Sequence, residues 1–273
     1  MTIRSAHRTR TLRMASTGVA ALLALSACSS SKGSSSEDSG SSAHGTPKPS
    51  GTVTVFAAAS LKESFTTLGR KFERQHPGTR VTFSFGGSDT LAASITNGAP
   101  ADVFAAASAR TMATVTDGKD AAGTPVTFAR NQLEIATPPG DPHRISSLRD
   151  LTRPGLKVVL CDKAVPCGAA ARKALDASHL KLTPVSYEQD VKSALTKVEL
   201  NEADAALVYR TDVKAAGGRV RGVGFPESAE ALNDYPITLL KNAPNATAAR
   251  AFIELVTSAE GRRVLTRVGF LKP

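Results

Sequence analysis

The chain of 273 residues has no tryptophan, only three tyrosines and only three cysteines, and each scarcity removes a class of function. Without tryptophan, and without a block of consecutive Lys and Arg interleaved with aromatics, it carries no nucleic-acid-binding signature. No GxSxG is present, so the nucleophile elbow of a serine hydrolase is missing. His44, His76, His143 and His179 sit in tether, turn or helix-end contexts and assemble no triad. HExxH, GxxxxGK(S/T) and a GxGxxG after a strand are absent too, which leaves metalloprotease, nucleotide and dinucleotide readings without support. Beyond the N-terminal segment no long apolar run suggests a membrane domain.

What is present begins with an export signal. Arg4, Arg8, Arg10 and Arg13 precede the apolar run Val19 to Leu25, which is too short for a permanent membrane span. Leu25, Ser26, Ala27 and Cys28 resemble a bacterial lipoprotein processing box, so cleavage before Cys28 and acylation of its thiol are expected. Ordinary secretion with an incidental cysteine is the alternative. Removing residues 1–27 takes away four arginines and no acid, lowering the formal charge from +10 to +6. Residues 28–50 are dominated by serine, glycine and small polar side chains and read as a flexible lipidated tether. About 220 residues follow, enough for one large core or two smaller ones.

With Cys28 assigned to lipid, Cys161 and Cys167 form a pair. Outside the cytoplasm they are expected to be oxidised to each other, closing a short loop. Metal binding is the alternative, but two cysteines without a nearby histidine or second pair make a poor zinc site.

From Val53 strand-like and helix-like segments alternate, the pattern of an α/β fold. Strands are expected at 53–58, 81–85, 102–106 and 132–137, and helices at 61–75 and from Thr90. A second unit repeats the alternation with a strand at 157–161, helices at 169–178 and 191–200, and a strand at 205–209. One helical segment, 247–268, closes the chain. Two such units joined by crossing strands predict a cleft between them.

Val53 to Ser64 is the most informative stretch, because a strand delivers Ser60 to the start of a helix, where unpartnered N–H groups gather positive potential. Ser60 followed by Glu63 also reads as a capping box, so local structure alone leaves cap and ligand roles open. Ser88 opens another helix after a strand of the same unit, and in a parallel sheet both serines share the carboxyl-terminal edge. Cys167 and Val191 stand at helix starts of the second unit, with Asp190 the plausible cap. Tyr209 ends an apolar strand, where its phenol either caps the core or enters the cleft.

Seven ordered blocks carry a resemblance: VTVFAAASL, FGGSDTLAASITNGAPADVF, FARNQLEIATP, VPCGAAARKAL, DVKSALTKVELNEADAALVY, YPITLL and RVGF. Together they resemble the molybdate-binding component of an ABC importer, with the two-lobed type II periplasmic-binding-protein fold. The resemblance implies lobe 1 at 51–131 and 236–273 and lobe 2 at 132–235. It implies a molybdate or tungstate ligand held without positive side chains by Ser60 and Ser88 from one lobe and Cys167, Val191 and Tyr209 from the other. Serine and tyrosine would donate hydroxyls, whereas Cys167 and Val191 would donate backbone N–H. It further implies a monomeric, non-enzymatic receptor with no cofactor that serves an ABC permease. Cys167 replaces the alanine common in the family, and Asp89 brings a carboxylate near the site, so sulfate, thiosulfate or phosphate stays an alternative ligand. A serine-dependent exported hydrolase is a remote one. Asp89 is expected to face solvent.

Overall fold

Apolar residues at Val53, Val55 and Ala57, all fully buried, open the fold as strand β1 (Gly51–Ala58). The computed structural model describes residues 48–273, so the expected export signal, Cys28 and the expected tether as far as residue 47 lie outside the described residues. After β1 the chain runs through α1 (Lys62–Gln75), β2 (Thr79–Gly86), α2 (Ser88–Thr96), β3 (Val103–Ala105), α3 (Ala109–Asp117) and β4 (Val126–Asn131). Helix α1 forms because Phe65, Leu68 and Phe72 repeat along one face, and that face is fully buried.

A second set of elements follows: β5 (Leu133–Thr137), β6 (Val158–Cys161), α4 (Pro166–Ala177), β7 (Ser186–Glu188), α5 (Val191–Glu199), β8 (Ala205–Tyr209), α6 (Arg210–Ala216) and β9 (Arg221–Val223). The chain then returns through β10 (Asn233–Leu239) and ends in α7 (Ala246–Thr257) and α8 (Ala259–Arg267).

These elements make two five-stranded sheets, ordered β2-β1-β3-β10-β4 and β7-β6-β8-β5-β9. In the first, β1 runs parallel to β2 and β3 while β10 is antiparallel to β3 and β4. The second repeats the scheme, with β6 parallel to β7 and β8, and β5 antiparallel to β8 and β9. Each sheet has its own apolar core, which gives an α/β protein of two lobes. The first core includes Phe252 of α7, whose ring meets Phe65 and Phe72 edge-on at 6.0 and 5.6 Å.

The chain crosses between lobes at Gln132, the one residue between β4 and β5, and returns ahead of β10. That return strand pairs with β4 from Asn233 onward, so residues 233–235 belong to the first sheet rather than the second. At the carboxyl end the single helix expected over 247–268 is two. Ser258 adopts extended backbone with ψ 168° and caps α8 by accepting the Gly261 N–H at 3.1 Å. Cys161 and Cys167 are joined, and the disulfide closes the loop between β6 and α4. In the chain-entropy model a loop this short contributes about 2 kcal/mol.

Candidate functional site

All five residues expected at the site follow the carboxyl ends of parallel strands. Ser60 and Ser88 come after β1 and β2, while Cys167, Val191 and Tyr209 follow or end β6, β7 and β8. The two lobes turn these edges toward each other, and the five residues line one small cavity of about 10 Å³. A space of that size has room for about one water-sized group, far below the roughly 300 Å³ at which pockets for organic ligands start. Among the described residues Asp190 is the one charged side chain in the lining, which includes no Lys or Arg.

In the first lobe the backbone departs from the expected capping box. A single 3-10 turn, Ala59–Leu61, separates β1 from α1, and Leu61 rather than Ser60 occupies the cap position. Because Ser60 lies one residue too early to cap α1, its hydroxyl is released for tertiary contacts. Ser60 Oγ instead lies 2.8 Å from the Tyr235 hydroxyl, and both residues are buried. Tyr235 Oη also accepts from Asn131 Nδ2 at 3.3 Å, and Asn131 Nδ2 donates to Thr211 Oγ1 across the lobe crossing at 2.8 Å. Burial drives the Tyr235 phenol well above the usual tyrosine range. Ser88 opens α2 as expected, and its Oγ accepts the Ala107 N–H at 3.0 Å.

The second lobe contributes mostly backbone. Pro166 and Cys167 are the first residues of α4, after Val165 at the cap, so the Cys167 N–H has no acceptor inside its own helix. Asp190 caps α5, its Oδ1 taking the N–H groups of Lys192 and Ser193 at 2.8 and 3.0 Å. The N–H of Val191 is left out of that cap at the helix start, and Val191 is among the residues that line the cavity.

Tyr209 is 1 % exposed, and its hydroxyl has no hydrogen-bond partner among the described residues. The Tyr235 ring packs edge-on at 6.1 Å without supplying one. Burial foremost, then the neighbouring Tyr235 and Asp212, holds the Tyr209 phenol well above its usual pKa, so it stays a proton donor. A buried, unpartnered hydroxyl in a cavity is costly unless something fills the space.

Four residues outside the sequence expectation support the site: Tyr235, Asn131, Asp212 and Lys192. Asp212 Oδ2 accepts the Tyr209 N–H at 3.2 Å, and the carboxyl group is fully buried. Its other oxygen lies 3.1 Å from Lys192 Nζ as an ion pair rather than an aligned hydrogen bond. Burial lifts Asp212 to a pKa of about 6, partly offset by Lys192. For Lys192 burial acts downward, yet the charges of Asp212 and Glu63 outweigh it and hold the ammonium above its ordinary value. Lys192 Nζ also reaches Glu63 Oε1 of the first lobe at 2.9 Å, so the would-be capping acid is a bridge between lobes. The i, i+3 spacing of Tyr209 and Asp212 was a readable signal, whereas Tyr235 and Asn131 meet Ser60 only through the fold.

Asp89 also departs from expectation. It is half-buried, and its Oδ1 is covered without a partner. The reason lies at Gly87, where a Cβ would stand 2.5 Å from the carbonyl oxygen of Gln189 in the opposite lobe and 2.8 Å from Asp89 Oδ1. The lobes approach so closely here that the first turn of α2 is roofed over.

Residues 53–271 match the model of a family described as bacterial extracellular solute-binding protein. The chain belongs to this family. Among its relatives, the solute-binding protein is 46% identical over 221 residues to molybdate-binding protein ModA of Mycobacterium tuberculosis, covering 81% of this chain and 85% of the relative. It is 32% identical over 234 residues to the Escherichia coli protein of the same name, covering 81% and 89%. The periplasmic molybdate-binding protein of Azotobacter vinelandii superposes with a TM-score of 0.71 at 20% identity, covering 81% of this chain and 99% of that one, which establishes the shared fold.

Proposed function

We propose that this solute-binding protein is an extracytoplasmic receptor that closes two lobes over molybdate or tungstate and delivers it to an ABC permease. The observation that carries the reading is the convergence of Ser60, Ser88, Cys167, Val191 and Tyr209 on one small cavity without a cation. A buried dianion must recover the hydration it loses, and fixed hydroxyl and amide dipoles do so without the desolvation cost of a buried lysine or arginine. The name shared by relatives at 46% and 32% identity supports molybdate as the ion. Acylation at Cys28 and a tether to residue 50 would keep the receptor at the membrane as a monomer, with lobe 1 at 51–131 and 233–273, the return strand included, and lobe 2 at 132–232.

The competing ligands and the enzyme reading meet specific obstacles. Hydrogen phosphate needs an acceptor for its proton, but Asp190 is occupied by three donors and Asp89 stands outside the lining. A nucleophilic Ser60 or Ser88 needs a base, and their partners are a phenol and a backbone amide.

Calorimetry with molybdate, tungstate, sulfate and phosphate tests the proposal. Tight molybdate and tungstate binding with weak sulfate is expected, and comparable sulfate affinity overturns it. Ser60→Ala and Tyr209→Phe should each weaken molybdate binding by about 1–3 kcal/mol, the range for a lost hydrogen bond to a buried charge.

A further inference from the structure

From residue 262 to residue 273 the chain carries four cations, Arg262, Arg263, Arg267 and Lys272, and no acidic side chain. Helix α8 buries Gly261 and Leu265, and Phe270 is buried beyond it, so the four cations are left exposed on the other side. They line one open groove of about 760 Å³ with Thr266 and Pro273. Among the described residues none of the four is in an ion pair. Arg262 Nη1 donates to the Thr257 carbonyl at 2.7 Å, which places the guanidinium without cancelling its charge. Glu260, the one acid of α8, is taken up by Lys71 and by Gln75 Nε2 at 3.2 Å. Those two partners foremost, and Arg263 least, hold its carboxyl below the ordinary range.

Guanidinium forks match the oxygens of phosphate groups, and cations spread over an open helix face fit many such groups side by side. None of the exposed large apolar side chains, Val126, Val185, Tyr187, Leu200 and Leu232, belongs to this face, so it suits an anionic surface without insertion. The point where the preceding chain joins the body is close in the fold. Asn245 caps α7 and gives its side-chain amide to the Ser50 and Thr52 carbonyls at 2.7 and 3.0 Å. The expected tether therefore reaches the body at the start of the α7–α8 pair. A Gly/Ser-rich chain of 22 residues, the length of 29–50, spans about 25 Å root-mean-square. That is comparable to the roughly 18 Å length of α7, so an acyl group on Cys28 holds the α8 face within reach of the bilayer.

We propose that the face of α8 and the following segment bearing Arg262, Arg263, Arg267 and Lys272 docks on the anionic phospholipid surface of the membrane to which Cys28 is expected to anchor the protein. The proposal goes beyond the receptor reading and takes from it only the anchor. Each Lys or Arg close to such a surface strengthens attachment about fivefold, so four together reach only the millimolar range. Contact that weak does not hold a free protein. A tether of this length supplies a millimolar effective concentration, so the anchored body rests on the membrane and still lifts off readily. Arg267 also shares a second cavity with Ser60 and Thr211, so docking turns that flank of the cleft toward the membrane.

The test is sedimentation with vesicles at low ionic strength, using the mature chain from residue 28 with Cys28→Ser so that no acyl group contributes. Binding to phosphatidylcholine vesicles that contain phosphatidylglycerol, and not to phosphatidylcholine alone, is expected, and it should fade as salt is raised. Combining Arg262→Gln, Arg263→Gln and Lys272→Gln should lower the bound-to-free ratio at least about tenfold. Combining Lys119→Gln, Lys173→Gln and Lys181→Gln removes the same charge from exposed positions elsewhere and should lower it less than about threefold. Urea unfolding confirms the fold of each variant, and Arg263→Gln with Lys272→Gln serves if the first combination does not fold. Equal losses in the two combinations, equal binding to neutral vesicles, or no binding to anionic ones overturns the surface. Wild-type vesicle binding by the first combination, with loss of contact to the permease, would assign the face to a protein partner and overturns it as well. Vesicle binding is read without molybdate and without the acyl group, so failure of the receptor or anchor reading is a separate result.

Discussion

The two halves of the cleft hold their donors by different means. The first lobe presents side-chain hydroxyls, and each depends on a partner remote in sequence: Ser60 on Tyr235, 175 residues away, and Ser88 on the backbone of Ala107. The second lobe presents helix starts whose support is local, with Asp190 capping its own helix, the Cys161–Cys167 bridge closing the loop before α4, and Asp212 three residues from Tyr209. A backbone donor tolerates any side chain that permits the turn, which is why valine and cysteine can serve there. A hydroxyl donor must be aimed, and aiming requires a network.

The halves also differ in what titrates, and this contrast yields the largest expected effect. The bonds that hold the first lobe's serines involve a phenol, an amide and backbone, none of which changes charge between pH 4 and 8. In the second lobe Asp212 sits among Lys192, Glu63, Tyr209 and Tyr235 with its pKa lifted by burial from 3.8 to about 6. The folded state therefore holds that proton more tightly than the unfolded chain. Its contribution is greatest below about pH 4 and falls as pH rises through about 6, by roughly 3 kcal/mol at 1.36 kcal/mol per unit.

Asp150 has the opposite sign. Hydrogen bonds from Ser146, then Ser147, lower it to about 2, so its contribution is lost as pH falls below about 4. Urea unfolding of wild type and Asp212→Asn at pH 4 and 7 isolates the first window. The stability of wild type relative to the variant should decline across it, and a constant difference would remove Asp212 as the titrating support.

The next effect breaks the comparison by keeping the halves apart. Gly87→Val places a side chain where the Gln189 carbonyl already stands 2.5 Å from an added Cβ, and backbone on both sides leaves little room to yield. Overpacking of this kind costs about 2 kcal/mol, so molybdate affinity should fall roughly 30-fold although every donor is retained. Calorimetry reads the loss, and unchanged affinity would mean that the halves need not meet at Gly87.

The sequence was legible where structure is decided locally. Alternation located the two α/β units, two serines after parallel strands identified one sheet edge, and Asp190 was recognisable as a cap because its targets lie within three residues. The capping box at Ser60 and Glu63 failed for a geometric reason. A one-turn 3-10 segment shifted the helix start by one residue, and sequence propensity does not fix such boundaries. Helix 247–268 was broken at Ser258, whose extended backbone and cap on the Gly261 N–H start a second helix, and a Cβ at Gly261 would collide with the Val256 carbonyl. Tyr235 and Asn131 gave no local signal, since their meaning arises only when β4 and β10 pair and bring Asn131 opposite Asn233.

The smallest effect concerns the one acid that changes meaning between the two readings. Glu63 reaches from the first lobe to Lys192 of the second at 2.9 Å, and its side chain is 42% exposed. Solvent screening limits such a pair to about 0.2–1 kcal/mol, which predicts a molybdate dissociation rate roughly 1.5- to 5-fold faster in Glu63→Gln. Glutamine serves a capping box as well as glutamate does, so a capping role makes the substitution nearly silent. A bridge across the closed cleft makes it visible at low salt, with the two rates converging as ionic strength rises. Stopped-flow release measured at two salt concentrations separates the roles. Equal rates at low salt would return Glu63 to the helix and leave the lobes held together by the ligand and the close contact at Gly87.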